Sequence, residues 1–155
     1  MGDETWWKGV GLYVRRHRNS LVETRDFQAA MEEVSGTKLG WFFDQWLYKA
    51  GYPLFEVTHR YEEGKLHLIV EQKQESTTET PAVFRVPVDI EIDGTIHREW
   101  IDERREEFVF DTASPKLVSF DRTGSILKKM AWKKSFEELV YQLQHDPEAV
   151  GRVWA

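Results

Sequence analysis

The chain has 155 residues, a net charge of −6 and an isoelectric point near 5.4, with 41% hydrophobic and 31% charged residues. An acidic balance argues against a nucleic-acid partner and against an anionic membrane surface. The absence of cysteine excludes disulfides, thiolate nucleophiles and Cys metal sites, and no apolar run approaches the ~20 residues that span a bilayer. Seven tryptophans are many for this length, and point to a large packed core or interface. The N-terminus is acidic and lacks an apolar leader; a cytoplasmic location is the expectation.

In chain order, residues 3–18 read as a helix. Trp6, Trp7, Val10, Tyr13 and Val14 form its apolar stripe. Arg15, Arg16, His17 and Arg18 close it with cations at the negative end of the helix dipole. Gly11 lies inside this helix at a cost of about 1 kcal/mol against alanine, and the sequence offers no reason for it. Thr24 is the expected N-cap of a second helix, with Phe27, Ala30, Met31 and Val34 as its face and Gly36 as its stop. Thr37 is expected to cap a third, which carries Leu39, Trp41, Phe42, Phe43, Trp46 and Leu47 and, with so wide an apolar face, should be nearly surrounded. Gly51 and Pro53 end it.

From Leu54 the period changes to two. Phe55, Val57, His59 and Tyr61 alternate with polar residues, and after Glu62-Glu63-Gly64 so do Leu66, Leu68 and Val70, a hairpin pattern. Residues 74–81 read as a polar loop. Residues 84–92 form a strand in which Pro87 favours an edge or bulge. Asp93-Gly94 turns the chain back through residues 95–101. Short strands follow at 108–110 and 117–120, then a turn at Asp121-Arg122-Thr123-Gly124 and an ambiguous stretch at 126–132. Turn signals at this density suggest a small antiparallel β-sandwich. Ser135-Phe136-Glu137-Glu138 is a capping box, and Asp146-Pro147 reads as an N-cap with proline at the first position of a last helix. That helix stops about two turns in, which reads as a truncation. The fold class expected is α+β: N-terminal helices, a small sandwich, and a short C-terminal helical pair.

No catalytic constellation assembles from the residue types. The histidines, His17, His59, His67, His97 and His145, form no H-E-x-x-H. A His59/His67 metal pair fails on register: pairing the apolar faces sets His59 near Leu68 and turns His67 to the opposite face. Carboxylates come in surface runs, with Arg104-Arg105 between two of them as an ion-pair cluster. No phosphate loop or G-x-S-x-G elbow is present. The expected site is therefore empty of catalytic and metal residues.

Several phrases carry a resemblance. Gly2-Asp3-Glu4-Thr5-Trp6-Trp7-Lys8-Gly9, Thr24-Arg25-Asp26-Phe27 with Met31-Glu32-Glu33-Val34-Ser35-Gly36, Phe43-Asp44-Gln45-Trp46, and Gly51-Tyr52-Pro53 with Val57 resemble the last helices of the catalytic domain in the aminopeptidase N family of zinc metallopeptidases (gluzincins), at its passage into a β-sandwich. The resemblance implies three segments: 1–52 from the end of the thermolysin-like domain, 53–131 as the sandwich, and 132–155 as the start of a helical-repeat domain. It implies that the zinc-binding helix, the G-x-M-E-N segment and the catalytic tyrosine of such an enzyme lie before this region, so no zinc or catalytic residue carries over. Two functional classes follow. One is a non-catalytic C-terminal spacer supporting the peptidase domain, with Trp6, Trp7 and Phe42 exposed for the upstream region or for self-association. The other is a stand-alone β-sandwich module that binds a protein or peptide.

Overall fold

The computed structural model describes residues 1–112 and 114–155. The chain divides into two compact units, Met1–Ala50 and Gly51–Ala155.

The first unit is helical. Helix α1 spans Asp3–Arg16 and α2 spans Thr24–Ser35. They meet at Gly9, which is buried against the buried Met31; a Cβ on Gly9 would stand 2.3 Å from the Met31 sulfur. The close approach explains a glycine at position 9. Gly11 faces elsewhere, and the group nearest its missing side chain is the Arg15 guanidinium at 3.1 Å. Phe27 is the aromatic hinge of the pair, edge-on to Trp6 at 5.9 Å and to Tyr13 at 5.2 Å. Glu23 rather than Thr24 caps α2, its backbone N–H donating to Asp26 Oδ2 at 2.8 Å. Gly36 ends the helix in the left-handed conformation (φ 65°), as expected of a C-terminal glycine.

The third helix differs from expectation. Its α-helical part, α3, is only Gly40–Phe43, followed by a π-helical turn over Asp44–Tyr48 closed by the Lys49 N–H to Asp44 O bond at 3.0 Å. Thr37 does not cap it: its hydroxyl turns back toward Ser35 O. The start is fixed from α2 instead, where Glu32 Oε1 accepts from Leu39 N–H at 2.7 Å. Hydrogen bonds from the Gln28 side chain and then the Leu39 backbone hold the Glu32 carboxyl below its ordinary range. Nor is the segment surrounded. Phe43 and Gln45 are buried, whereas Phe42, Leu47 and Tyr48 are exposed.

The second unit holds two sheets. Strands β1 (Leu54–Glu62), β2 (Lys65–Gln72), β5 (Arg105–Asp111) and β7 (Lys129–Trp132) form one, in the order β5-β2-β1-β7. Strands β3 (Val86–Ile92), β4 (Thr95–Ile101) and β6 (Val118–Phe120) form the other, in the order β4-β3-β6. The pairing is antiparallel except for β1 with β7, which is parallel. The β1–β2 register pairs His59 with Leu68, as the apolar alternation requires. Glu63 and Gly64, and then Asp93 and Gly94, take positive φ in two-residue hairpin turns, the geometry that matches strand twist. Pro87 lies opposite Trp100 of β4, while β6 pairs only with Ile90–Ile92. Its missing N–H thus falls where β3 has one neighbour. Phe55, Val57, Leu66, Leu68 and Val70 of the first sheet are buried with Val88, Ile90, Ile101 and Phe120 of the second. Phe55 meets Phe120 edge-on at 5.6 Å.

The long connection from β2 to β3 is held by two buried glutamines. Gln72 Nε2 donates to Phe84 O and Glu103 O, and its Oε1 accepts from Phe84 N–H and Gln74 Nε2. Gln74 also donates to Ala82 O and accepts from Leu54 N–H. Two helices complete the unit, α4 (Phe136–His145) and α5 (Ala149–Trp154). The capping box at Ser135 forms as read: Ser135 Oγ accepts from Glu138 N–H, and Glu138 Oε2 from Ser135 N–H. Asp146 is not the N-cap residue of α5, a position held by Glu148. It is buried, and accepts from Glu148 N–H and from the Ser119 hydroxyl.

The contact at Gly9 yields a test. Gly9→Val should lower stability by about 1–3 kcal/mol through overpacking against Met31. Gly11→Ala, which meets only the tip of a flexible arginine, should be neutral or raise stability by up to about 1 kcal/mol. Urea midpoints of the two variants check the contrast.

Candidate functional site

Two places combine exposed or ionisable groups in a way that could do chemistry or bind a partner. One lies in the helical unit. Trp6 and Trp7 are adjacent on α1, so their side chains diverge by about 100°. Trp6, 43% exposed, leans on Phe27. Phe27 in turn touches Phe43 at 6.3 Å, and Phe43 touches Phe42 at 5.8 Å. Phe42 keeps 41% of its surface exposed, so an aromatic run links two of the three residues singled out from sequence. Trp7 stands apart and is 68% exposed. It lines an open groove with Leu12 and Val34, flanked by Glu4, Lys8 and Arg15.

The other place lies in the second unit, under α4 and α5. A cavity of about 350 Å³ is lined by Asp121, Lys128, Trp132, Lys134, Gln142 and Trp154 among others. Asp121 sits at the end of β6 with its side chain almost wholly buried. Its Oδ1 accepts from Ser125 N–H and the Ser125 hydroxyl, both at 3.0 Å, and its Oδ2 accepts from Ile126 N–H at 3.0 Å and from Lys128 Nζ. Lys128, equally buried, also lies 4.4 Å from the centre of the Trp154 ring. Arg122 bridges Glu91 of β3 at 2.6 Å and Glu148 at 2.9 Å.

Lys134 has no carboxylate in contact among the described residues. Its Nζ donates to Val118 O and to Gln142 Oε1, each at 2.6 Å, and lies 4.0 Å from the Trp132 ring centre. Burial pushes the amine down to about 8, against the pull of Glu138 and Asp146. Gln142 Nε2 donates to Gly151 O, and a Cβ on Gly151 would stand 2.0 Å from Asp146 Oδ2. Only glycine lets α5 seat on that carboxylate.

At the edge of the cavity, Trp132 Nε1 donates to His59 Nδ1 at 2.9 Å, and His59 Nε2 lies 2.7 Å from Glu138 Oε1. An indole N–H can only donate, so Nδ1 is the acceptor and Nε2 carries the proton given to Glu138. Burial pushes the Glu138 carboxyl up, but hydrogen bonds from the Ser135 backbone and hydroxyl, with His59, outweigh it and hold it below its usual range. Burial and then the Glu138 and Asp93 charges push the neighbouring Tyr61 phenol up to about 12.

The cavity is thus a set of polar groups already satisfied by one another. No buried side-chain nitrogen or oxygen among the described residues lacks a hydrogen-bond partner. The histidines do not converge: His59 faces Glu138, His67 faces Glu107 and Arg60 on the other side of the hairpin, His97 meets Phe110, and His145 stacks on Tyr141. Among the described residues no group of three or more His, Asp or Glu side chains is arranged to hold a metal. The donor set of a zinc site, three protein ligands around an open position, is not formed by these side chains. Of the Arg104-Arg105 pair read as a surface ion-pair cluster, Arg105 pairs with Glu71 and Glu107, whereas Arg104 donates to Gln74 O at 3.4 Å.

The sequence reading passes over Lys134, and takes Asp121 only as a turn residue and Asp146 only as a helix N-cap. For Asp121 a signal existed: aspartate opening an Asp-x-x-Gly turn often accepts backbone N–H groups downstream.

A comparison with protein-family models finds no match. The chain is related to aminopeptidases. It is 28% identical over 125 residues to probable aminopeptidase 2 of Sulfurisphaera tokodaii, and 26% identical over 127 residues to leucyl aminopeptidase of Saccharolobus solfataricus; each match covers 80% of this chain and 16% of the relative. It is 33% identical over 79 residues to aminopeptidase N of Escherichia coli, covering 50% of this chain and 9% of that protein. The chain therefore spans about a sixth of the length of the first two relatives. No helix among the described residues is long and apolar enough to cross a membrane.

Two tests follow from the cavity. Asp121→Ala leaves the Lys128 ammonium buried without its carboxylate, and should cost about 3–5 kcal/mol in a urea titration. Lys134 gives up its proton near pH 8 in the folded chain, whereas its ordinary value is 10.5. Between those values the unfolded state binds more protons, so stability should rise with pH across that window, by roughly 3 kcal/mol at most. Lys134→Met should abolish that share of the rise, read as the difference between wild-type and variant unfolding free energies from pH 7.5 to 10.5.

Proposed function

We propose that this chain is a non-catalytic region from the C-terminal part of a zinc aminopeptidase, a spacer that supports the peptidase domain. The observation that carries this reading is the asymmetry of the matches: most of this chain aligns, yet it accounts for only 16% of probable aminopeptidase 2 and of leucyl aminopeptidase. The ordered phrases between Gly2 and Val57 support placing it after the catalytic half. On this reading residues 1–52 close the catalytic domain, 53–131 form a β-sandwich, and 132–155 open a helical domain. The zinc belongs to the parent's upstream half, with no cofactor in this chain and no hydrolase activity of its own. Trp6, Trp7 and Phe42 supply aromatic surface on which that half would pack. A cysteine-free composition suits a cytoplasmic protein.

Removal of N-terminal residues from peptides is the activity of the proposed parent. The purified chain supplied with zinc should leave an aminoacyl arylamide uncleaved, and calorimetric titration should show no stoichiometric zinc binding. Mixing it with an upstream catalytic fragment should raise that fragment's peptidase activity or its melting temperature. Zinc-dependent turnover by the chain alone, or no effect of the mixture, would remove the reading.

A further inference from the structure

The inner face of α1 is used. Gly9 meets Met31, Tyr13 meets Phe27, and Arg16 reaches Glu33 on α2 at 2.9 Å. The outer face is a different surface. Trp7, Gly11 and Val14 follow one another at i, i+4 and i+7, which on a helix makes a seam. Trp7 is 68% and Val14 56% exposed. The charges beside that seam run from acidic at its start to basic at its end, with the exposed Lys8 between them. Asp3 and Glu4 stand at its start, and Arg15, with Arg18 just past the helix, at its end; all four are exposed. Among the described residues Glu4 is engaged only by Lys8 one turn on, at 2.7 Å, with both side chains open to water, an interaction worth little.

A surface with an apolar middle, acids at one end and bases at the other is complementary to itself when reversed. We propose that the outer face of α1 is a self-association surface, on which a second copy of this chain packs its own α1 antiparallel about a two-fold axis near Val10 and Gly11. The positions that would face one another follow from the sequence numbers. An axis midway between Trp7 and Val14 sets each tryptophan on the partner's valine. The same axis brings Asp3 toward the partner's Arg18 and leaves Glu4 two positions out of register with the partner's Arg15, a gap of about 3 Å along the helix that their long side chains span. Such an interface is isologous, each patch meeting its own copy. A parallel pair would set acids against acids and bases against bases, which the charges oppose. Gly11 then acquires a reason that the monomer does not supply: a residue without a side chain near the axis lets the two backbones approach. One helix pair buries less than a standard interface, so the dimer is weak and its formation concentration-dependent.

The inference concerns the chain by itself and does not need the spacer reading. In a longer protein, anything covering α1 would compete for the same face. Sedimentation equilibrium of the full chain across the micromolar range should show a monomer–dimer equilibrium that weakens as salt rises. Trp7→Glu and Val14→Glu should each weaken it at least about tenfold, with far-UV circular dichroism unchanged because both side chains point to solvent. The decisive pair is electrostatic. Asp3→Lys with Glu4→Lys, and Arg15→Glu with Arg18→Glu, should each be monomeric alone and form a heterodimer when mixed. A chain that stays monomeric throughout the range overturns the proposal. So does a dimer that ignores the charge reversals, one that tightens with salt, or one that is lost with Phe42→Glu instead.

Discussion

The sheet unit depends on how one buried carboxylate is satisfied. Asp121 ends β6 in the left-handed region (φ 51°), with its carboxylate out of water. A charge in that position is tolerated only if its lone pairs are filled and its charge is matched. Two backbone N–H groups, a hydroxyl and the Lys128 ammonium do both. Filling them dictates the path of the chain. The donors come from residues four, five and seven positions on, so the backbone must curl around the carboxylate before it can leave. It leaves as β7, beside β1 and parallel to it. Lys128, fixed at the end of that curl, then presents its stem and charge to Trp154 of α5. One buried charge thereby ties a strand of one sheet to a strand of the other and to the last helix.

The same constraint recurs wherever the unit changes direction. The β2–β3 connection would expose or strand its backbone groups, and Gln72 and Gln74 take them up from inside the fold. The α4–α5 corner is closed by Asp146 and Gln142, each bonding to backbone of the following helix. Apolar burial supplies most of the driving force, but it is non-directional. These amides and carboxylates choose one arrangement among the many that would bury the same leucines and valines. Lys134 shows the cost of such a choice. Its ammonium lies among carbonyl oxygens and an indole face with no contacting carboxylate among the described residues, and burial lowers its proton affinity.

Where the determinants are local, the amino-acid sequence discloses them. The register of β1 on β2, which keeps His59 and His67 apart, follows from alternation and a Glu-Gly turn. The Asp93-Gly94 hairpin and the Ser135 capping box each need only four residues to recognise. The two-sheet α+β arrangement with a C-terminal helical pair follows from the density of such signals. What stays hidden is set from a distance. Thr37 looks like a cap, but the start of α3 is fixed by Glu32 from the preceding helix. Gly9 looks like any glycine until Met31 is placed against it. The parallel β1–β7 pair joins segments some seventy residues apart, with no local signature. Asp146-Pro147 has the letters of a helix start, yet the aspartate is drawn inward by Ser119 of β6 and by the closeness of Gly151. Of the candidate surface, Trp6, Trp7 and Phe42 are exposed, while the run through Phe27 and Phe43 that joins two of them is a product of packing.

The two units differ in what they leave unfinished. In the sheet unit the buried polar groups are matched among themselves, so a ligand entering the cavity under α4 and α5 would have to break existing hydrogen bonds to make its own. That makes the cavity a poor place to look for recognition. On α1 the balance is reversed. Exposed tryptophan and valine surface gains from any apolar cover, and apolar cover by itself is indifferent to its source. Selectivity must then come from the charges around it. Acids at one end of a helix and bases at the other complement that helix's own dipole, which is reason enough for the pattern in a monomer. The pattern also has a second consequence, because a surface ordered in this way matches its own reversed image better than it matches an arbitrary partner.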